Sequence, residues 1–342
     1  MRISVDAMGG DDAPREIVAG ALLAARQIQG LEKLFLVGNA EVIKTEIKNL
    51  TDSTPDCIEI VNASEVVGMG EAPATAIRRK KDSSIARAIS LVKDGSADAI
   101  FSAGNTGAAV AAATIQLRTL KGVSRPAIAT VIPTSNNPFV LLDAGANPDS
   151  TPDMLQQFAV MGSIYSREIL GVLSPCVGLL SIGEEEAKGN ETTKKGFRLL
   201  EQVDIDFVGN VESKDLFLGR VDVAVCDGFV GNVVLKTTES VASMISSWLK
   251  ELFRENPIRI LGYLFSRGVF KEVRKKTDPS CYGGAPLLGA NGIVIIGHGS
   301  SNREAAYNGI RVACEAISHN LNHLIEDSLN NINQSSDIEN CD

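Results

Sequence analysis

Short apolar runs alternate with longer amphipathic segments along most of the chain. The runs are apolar at consecutive positions, a pattern typical of parallel strands that are covered by helices on both faces. They lie at 3–5, 34–37, 58–61, 99–101, 127–132, 139–142, 177–182, 221–225 and 293–296. The segments between them repeat their apolar residues at helical spacing and predict helices at 15–27, 41–49, 84–93, 153–169, 192–202, 230–252 and 303–325.

This alternation predicts the fold class and the domain organisation. Strands that alternate with helices favour an α/β fold, a three-layer αβα arrangement around a mostly parallel sheet. No Pro-, Gly- or Ser-rich linker divides the first 325 residues. We therefore expect a single elaborated α/β catalytic domain over 1–325, with or without two lobes. The Asn-rich polar sequence of 326–342 predicts a disordered tail.

Composition narrows the classes of function. Hydrophobic residues make up 44% of the 342 residues, which is ordinary for a globular protein. The net charge of −9 repels nucleic acid, so no nucleic-acid partner is expected. The six cysteines form no C-x-x-C pair, and no run approaches the roughly 18 apolar residues of a membrane span. The start of the chain reads as a strand instead of a signal peptide, so the expected location is cytoplasmic.

Candidate chemistry lies in turns that follow predicted strands and open helices. Free backbone N–H groups and the helix dipole favour a phosphate or an oxyanion at such places. The carboxyl ends of the strands of an open α/β sheet form the usual ligand crevice, so we expect four of these turns to converge there. The alternative is that their glycines only make tight turns and their polar residues only cap helices. The four turns are 6–11, 102–107, 227–232 and 297–301.

A fifth segment, 181–191, adds a cation to this picture. Lys188 follows a predicted buried strand there and could neutralise a bound phosphate. The alternative is a solvated loop, because three glutamates precede the lysine. None of these segments has the P-loop or Rossmann fingerprint, and the chain has no H-E-x-x-H zinc motif.

The opening 3–11, Ile-Ser-Val-Asp-Ala-Met-Gly-Gly-Asp, closely resembles that of the bacterial phosphate acyltransferases. Further segments look like motifs of this family, in order, so that the resemblance covers residues 1 to about 320: they are 102–108, 142–147, 182–190 and 226–232. The resemblance implies an enzyme that makes acyl-phosphate from acyl-[acyl carrier protein] and inorganic phosphate. It further implies a cytoplasmic homodimer, peripherally associated with the membrane, that supplies a membrane glycerol-3-phosphate acyltransferase.

The same resemblance implies a fold like that of isopropylmalate and isocitrate dehydrogenases. It also leaves two alternative functions open. One is an NAD- and metal-dependent decarboxylating 2-hydroxy-acid dehydrogenase, since the 297–300 turn is similar to the adenine-side loop of those enzymes. The helix after Asp227 carries no acid before Glu239, so their metal site is missing. We expect neither a metal nor a cofactor. The other alternative is a catalytically inactive scaffold that binds the carrier protein.

The implied reaction is attack of a phosphate oxygen on a thioester carbonyl. It requires neutralisation of the phosphate dianion and stabilisation of a developing oxyanion. We assign catalytic roles to Lys188 as the charge donor, Asn232 as an oxyanion donor and Asp227 as an optional proton carrier. Phosphate or substrate binding is assigned to Gly104, Asn105, Thr106, Gly107, Asn190, His298, Gly299, Ser300 and Ser301.

Two features predict contact with larger partners. Arg78, Arg79, Lys80 and Lys81 form a basic run suited to an acidic carrier protein, and 271–276 forms a second, although either could be only a solvated helix face. The mixed apolar and basic segment 258–270 is typical of membrane interfaces. A dimer interface or an acyl-chain groove would also be apolar, so the three readings of that segment stay open.

Overall fold

The computed structural model describes residues 1–277 and 282–339, and the side chains of residues 1–273 and 282–332. Within these ranges the strands are β1 (Arg2–Asp6), β2 (Lys33–Gly38), β3 (Ile58–Asn62), β4 (Ala99–Ser102), β5 (Ala127–Ile132), β6 (Phe139–Leu142), β7 (Val177–Leu180), β8 (Phe207–Val211), β9 (Val223–Val225), β10 (Ala285–Leu288) and β11 (Ile293–Ile296).

Helices fill most of the connections between these strands. They are α1 (Arg15–Gln27), α2 (Ala40–Leu50), α3 (Pro73–Arg79), α4 (Ser84–Lys93), α5 (Thr106–Gln116), α6 (Pro152–Leu170), α7 (Glu191–Leu200), α8 (Ser213–Leu218), α9 (Gly228–Arg254), α10 (Pro257–Thr277), α11 (Arg303–Ser318) and α12 (Leu321–Glu339). The chain is therefore a mixed α/β protein, as its periodicity predicted.

All these strands belong to one eleven-stranded sheet, in the order β3-β2-β1-β4-β11-β10-β5-β6-β9-β7-β8. Neighbours are parallel from β3 to β11, and again from β6 to β8. Between these two halves, the pairs β11–β10, β10–β5 and β5–β6 are antiparallel. Three successive reversals make the second half run opposite to the first. The sheet is mostly parallel, but the carboxyl ends of the strands in its two halves lie at opposite edges.

Helices cover both faces of the sheet, as alternation along β4 shows. Ile100 packs in the same core cluster as α4 and α5. Its neighbours Ala99 and Phe101 point the other way, into a cluster with α1 and α11. Because successive strand residues face opposite sides, a strand that is apolar at every position needs a helical layer on each side. A third core cluster, in which α6 and α12 pack against β5, β6 and β9, completes the second half.

The apolar runs predicted nine of the strands, and two were missed for local reasons. β8 carries Gly209 and Asn210 inside a short segment, which weakens its apolar signal. β10 contains Pro286 and pairs antiparallel on both sides, so it lacks the pattern of a buried parallel strand. The sequence also gave no bounds for α3, α5, α8 and α10.

The C-terminal segment differs from its prediction in two respects. The single helix expected over 303–325 is two helices, α11 and α12, separated at Asn320, which has a φ of 50°. The polar segment from 326 continues α12 instead of fraying, and Leu329 in it is 2% exposed. Leu321, Ile325 and Leu329 recur at helical spacing and bury one face against α6, which stabilises a helix whose other face is polar.

The helices α9 and α10 leave the layered core. From 240 to 252 every residue of α9 is exposed, and the described side chains of α10 are largely exposed as well. The two helices contact each other, and an aromatic cluster of Phe253, Tyr263 and Phe270 joins them. Within the residues that the structure covers, no helix is long and apolar enough to cross a membrane.

Candidate functional site

The first cluster of turns is organised by the buried carboxylate of Asp6, at the end of β1. Asp6 is 2% exposed and accepts hydrogen bonds from Ser102 Oγ at 2.8 Å and from the Met8 N–H at 3.3 Å. Burial raises its pKa, because the charged form loses its hydration. Since Ser102 ends the neighbouring strand β4, this bond fixes the 6–11 turn against the 102–107 turn.

Close backbone approach then adds the 297–301 turn to the same cluster. A Cβ on Gly9 would stand 2.6 Å from the backbone nitrogen of Gly104, so only glycine fits there. The Asp11 N–H donates to the Gly299 carbonyl at 2.8 Å. We call the assembly of the 6–11, 102–107 and 297–301 turns the Asp6 cluster.

Asn105 holds the Asp6 cluster together instead of facing a ligand. Its Oδ1 accepts from the Ala108 N–H at 3.0 Å, which caps α5. Its Nδ2 donates to the carbonyls of Gly68, Met69 and Glu71 at 3.3, 3.0 and 3.2 Å, and so ties the 68–71 loop to the cluster. The side chain of Asn105 is 8% exposed, and both of its polar atoms are hydrogen-bonded within the protein. Asn105 therefore positions the turn and the 68–71 loop.

The first turn of α5 keeps donors free for an anion. The backbone N–H groups of Thr106 and Gly107 have no acceptor among the described residues, and Thr106 is exposed. A Cβ on Gly107 would meet Pro73 Cγ at 2.6 Å, so the start of α3 lies directly against this turn.

The 297–301 turn presents one hydroxyl and hides the other. Ser300 Oγ lies 2.8 Å from His298 Nδ1, and both side chains are exposed. Ser301 is 6% exposed, and its hydroxyl donates to the His298 carbonyl at 2.6 Å. Ser300 and His298 are therefore accessible to a substrate, whereas Ser301 stabilises the turn.

A second buried carboxylate, Asp143 at the end of β6, organises another cluster. Its Oδ1 accepts from the N–H groups of Ile128, Gly145 and Ala146 at 3.0, 3.1 and 3.0 Å. Its Oδ2 accepts from the N–H of Asn147 at 2.7 Å and from its side chain at 2.9 Å. Burial raises the pKa of Asp143, while these donors act in the opposite direction.

The start of α9 packs directly on this turn. The Gly228 N–H donates to the Asn147 carbonyl at 2.8 Å, and a Cβ on Gly228 would lie 2.6 Å from that oxygen. Asp227 caps α9 by accepting from the Val230 N–H at 2.8 Å. Asn232 is exposed, and a Cβ on Gly145 would lie 3.4 Å from the Cβ of Asn232. We call the 143–147 and 227–232 turns together the Asp143 cluster.

Lys188 and Asn190 lie in the loop after β7, the strand next to β9. The Lys188 N–H donates to the Glu185 carbonyl at 2.9 Å, and its exposed ammonium has no ion pair among the described residues. Asn190 caps α7 by accepting from the Thr193 N–H at 2.9 Å. The buried Asn210 supports this loop by donating to the Glu185 carbonyl at 2.9 Å.

The expectation that all four turns share one carboxyl edge of the sheet is wrong for 227–232. The Asp6 cluster lies at the carboxyl ends of β1, β4 and β11, whereas β6, β7 and β9 run the other way. The predicted residues therefore fall into two groups: 104–107 and 298–301 in the Asp6 cluster, and Lys188, Asn190, Asp227 and Asn232 at the edge of the Asp143 cluster.

The basic run at the end of α3 is only partly free. Arg78, Arg79 and Lys81 are exposed without an ion pair to any described residue. Lys80 instead donates to Glu71 at 2.6 Å and to the Val66 carbonyl at 2.8 Å, and this contact lowers the pKa of Glu71. Lys80 thus anchors the 66–71 loop.

The second basic run and some of the histidines and cysteines either have structural partners or fall outside the described residues. In the second basic run, 271–276, the side chains of residues 274–276 lie outside the described residues, as do Cys281 and Cys341. His319 lies 3.4 Å from Glu168, and His323 lies 2.7 Å from Asp327. Across residues 1–277 and 282–339, no group of three His, Cys, Asp or Glu side chains is placed to hold a metal.

Sequence reasoning assigned no role to Asp143 and Asn147, which organise half of the candidate site. Their signal was present, because an aspartate directly after a predicted strand is followed by Gly145 and Asn147. A buried carboxylate that accepts several backbone N–H groups shapes a turn without touching a ligand.

Comparison with known proteins matches the chain along nearly its whole length. The family model described as "Fatty acid synthesis protein" matches residues 1–324. A phosphate acyltransferase of Halothermothrix orenii is 50% identical over 332 residues, which cover 96% of this chain and 99% of that protein. A phosphate acyltransferase of Desulfitobacterium hafniense is 52% identical over 318 residues, 93% of this chain and 94% of that protein.

Solved structures of lower identity share the fold. A phosphotransacetylase of Streptococcus pyogenes superposes with a TM-score of 0.61 at 19% identity, covering 93% of this chain and 94% of that one. A branched-chain phosphotransacylase of Enterococcus faecalis gives 0.56 at 16% identity, covering 93% and 99%. A 4-hydroxythreonine-4-phosphate dehydrogenase of Klebsiella pneumoniae gives 0.52 at 14% identity, covering 95% and 99%.

The hydrogen bonds of Asp143 make a stability prediction. The substitution Asp143→Asn places an NH₂ group against backbone donors, and we expect it to lower the free energy of unfolding by about 1–3 kcal/mol. Urea unfolding followed by circular dichroism measures this loss. The control is Asp149→Asn, at an exposed position close to the same turn. Equal stability of the two variants would contradict the role assigned to Asp143.

Proposed function

This chain belongs to the fatty acid synthesis protein family, and we propose that it is a phosphate acyltransferase that forms acyl-phosphate from acyl-[acyl carrier protein] and inorganic phosphate. The observation that carries this function is identity of about half the residues, over nearly the full length, to phosphate acyltransferases. The product belongs to an early step of bacterial phospholipid synthesis. Neither the dehydrogenase nor the inactive scaffold finds support among these relatives.

In the proposed reaction a phosphate oxygen attacks the thioester carbonyl carbon. A carbon–oxygen bond forms, the carbon–sulfur bond breaks, and the sulfur leaves as the carrier thiol after taking up the proton that the attacking phosphate gives up. Phosphate at neutral pH is already a nucleophile, so the protein's task is to hold it, offset its charge and stabilise the oxyanion. No covalent intermediate on the enzyme is needed.

Lys188 and Asn232 are the side chains best suited to this chemistry. Lys188 supplies a positive charge that no described carboxylate neutralises, on a loop shaped by the Glu185 carbonyl. The amide of Asn232, exposed on the first turns of α9, can donate to the developing oxyanion. Asp227 accepts from the Val230 N–H with one oxygen, and its other oxygen can carry the proton that the phosphate loses to the leaving sulfur.

Donors of the Asp6 cluster lie at the other edge of the sheet from Lys188, so they suit a polar group of the substrate other than the phosphate beside Lys188. The free N–H groups of Thr106 and Gly107 lie at the positive end of α5, and the exposed Ser300 hydroxyl belongs to the adjoining turn. Asn190, at the start of α7, is a further candidate for binding phosphate or substrate. Asn105 and Ser301 contribute by shaping these turns.

We propose that the carrier protein docks on α3. The exposed Arg78, Arg79 and Lys81 form a local positive surface on a chain of net charge −9. The first residue of α3, Pro73, contacts Gly107, so this short helix connects the basic run to the free N–H groups at the start of α5. Short-range complementarity of this kind overrides the repulsive mean charge.

The exposed helices α9 and α10 are suited to contact a second copy of the chain and a membrane. We propose a cytoplasmic homodimer that pairs through the apolar side of α9, where Met244, Ile245 and Trp248 are 42%, 48% and 56% exposed. The apolar residues of α10, such as Leu264 and Phe265 at 58% and 85% exposure, suit peripheral contact with a membrane. Such contact would deliver acyl-phosphate to a membrane glycerol-3-phosphate acyltransferase.

The continuity of the sheet bears on the finer fold and on the domain organisation. The two oppositely directed halves of one continuous sheet support a single catalytic unit over residues 1–325 with two lobes. We propose that this arrangement is the isopropylmalate dehydrogenase-like one, and that the crevice between the lobes takes the substrates.

Removal of the Lys188 charge tests the reaction and the site together. With Lys188→Ala, we expect the phosphate concentration at half-saturation to rise about tenfold, since a charge-assisted hydrogen bond is lost. Acyl-phosphate trapped with hydroxylamine and released carrier thiol are the two readouts. Lys195→Ala is the control, because Lys195 is an exposed lysine of the adjacent α7. Unchanged phosphate saturation would show that Lys188 does not belong to the anion site. Absence of product with the wild-type protein would contradict the proposed function.

Reversal of charge on α3 tests carrier docking. The double variant Arg78→Glu/Arg79→Glu should raise the carrier concentration at half-saturation about tenfold at low salt and weaken its dependence on salt. The control Lys48→Glu/Lys93→Glu changes the net charge equally at exposed sites of α2 and α4. Equal effects of the two double variants would point to net charge instead of a docking surface.

A charge placed on α10 tests membrane contact. We expect Leu264→Glu to abolish flotation with anionic phospholipid vesicles, since a carboxylate opposes burial among acyl chains. Leu173→Glu, at a leucine 92% exposed between α6 and β7, should float like the wild type. If both variants float equally, α10 does not enter the membrane and the dimer remains its expected partner.

A further inference from the structure

The 118–125 loop, which connects α5 to β5, carries three basic residues outside the site described above. Arg118, Lys121 and Arg125 are all exposed, and none has an ion pair with a described residue. By contrast, other arginines, such as Arg2, Arg220 and Arg303, are paired with carboxylates. Unneutralised guanidinium groups on a fixed backbone are suited to bind an anion.

The backbone at Arg118 is held in an unusual conformation. Its φ is 66°, in the left-handed region that residues other than glycine seldom adopt. The Arg118 N–H donates to the Ala113 carbonyl at 3.1 Å, and its carbonyl accepts from the Asn291 N–H at 3.0 Å. Arg118 directly follows the C-cap of α5, so this left-handed residue ends the helix and sets the direction in which the loop leaves it.

Two side chains fix the other end of the loop. Gln157 of α6 accepts from the Ser124 N–H at 2.9 Å and donates to the Gly122 carbonyl at 3.0 Å. The side chain of Asn147 donates to the carbonyl of Pro126 at 2.8 Å. Arg125 therefore lies on a segment that is clamped on both sides, which lowers the entropy lost when a ligand binds.

These contacts place the Arg125 end of the loop at the edge of the Asp143 cluster. Pro126 is hydrogen-bonded to Asn147, and the Asn147 carbonyl accepts from the Gly228 N–H at the start of α9. The Asp143 carboxylate forms no ion pair with these arginines, and its two oxygens accept five hydrogen bonds from backbone and amide donors. The next N–H of α9, that of Phe229, has no acceptor in the described part of the chain.

We propose that Arg118 and Arg125 form a second anion site, which binds a phosphate group beside the start of α9. The inference deepens the proposed function and rests on it, since that reaction brings two phosphorus-containing groups to the protein. One is inorganic phosphate, and the other is the phosphodiester in the prosthetic arm of the carrier. Both present oxygens that a planar guanidinium binds with paired hydrogen bonds.

The variants Arg118→Gln and Arg125→Gln, alone and combined, test this site at constant ionic strength. Glutamine keeps a polar side chain of similar length and removes the charge. Lys121→Gln is the matched control, because Lys121 is exposed and unpaired on the same loop. The rates of acyl-phosphate formation are measured against phosphate and against acyl-carrier concentration. Stabilisation of each protein by inorganic phosphate in thermal unfolding gives a readout that needs no catalysis.

We expect the double arginine variant to raise one half-saturation concentration about tenfold or more, with less than a twofold change for Lys121→Gln. A change in phosphate saturation assigns the site to inorganic phosphate, and a change in carrier saturation assigns it to the phosphodiester of the arm. Partial rescue by Arg125→Lys would support a charge effect. Unchanged saturation by both substrates in folded variants, or an equal effect of Lys121→Gln, would overturn the proposal.

The thermal readout separates this inference from the proposed function. If the wild-type protein forms no acyl-phosphate but phosphate stabilises it through Arg118 and Arg125, the anion site stands and the proposed reaction fails. If the wild-type protein neither reacts nor gains stability from phosphate, both fail.

Discussion

The reversal of strand direction in the middle of the sheet determines where every functional turn lies. β10 is inserted between β11 and β5 and pairs antiparallel with both, and β5 pairs antiparallel with β6. Buried backbone N–H and carbonyl groups must be paired, so these ladders join the two halves into one sheet. Since the halves then run in opposite directions, their carboxyl ends, and the turns that follow them, lie at opposite edges.

Each half places a buried aspartate directly after a strand. Asp6 links the ends of β1 and β4, and Asp143 gathers the turn after β6 beneath the start of α9. A carboxylate buried in this way loses hydration, and the hydrogen bonds offset that loss only in one turn conformation. Glycines such as Gly9 and Gly228 let the turns touch. The buried carboxylates thereby stabilise the turns, whereas Lys188, Asn232 and Ser300, the candidate site residues, remain exposed.

The distribution of charge and apolar surface fits a protein that handles anions and an acyl chain. The net charge is −9, yet exposed cations without an ion pair to any described residue lie on α3, in the loop after β7 and in the 118–125 loop. Each of these positions is next to a turn with free backbone donors or a helix start. The exposed apolar residues are concentrated on α9 and α10, outside the layered core. The exposed cations and the exposed apolar surface thus lie in different parts of the fold.

Local sequence determined most strands and helices and marked the turns after β1, β4, β9 and β11. Apolar periodicity and glycine are local properties, so they can be read without the fold. Tertiary structure decided which turns meet, because strand direction depends on partners far apart in sequence, as β10 shows. It also decided what each polar residue does. Asn105 and Lys80 resemble ligand-binding residues in sequence, but carbonyls and a carboxylate from the 66–71 loop use their hydrogen-bonding groups, whereas Lys188 keeps its charge free. The reason is that a hydrogen bond between distant segments leaves no periodic signal in the chain.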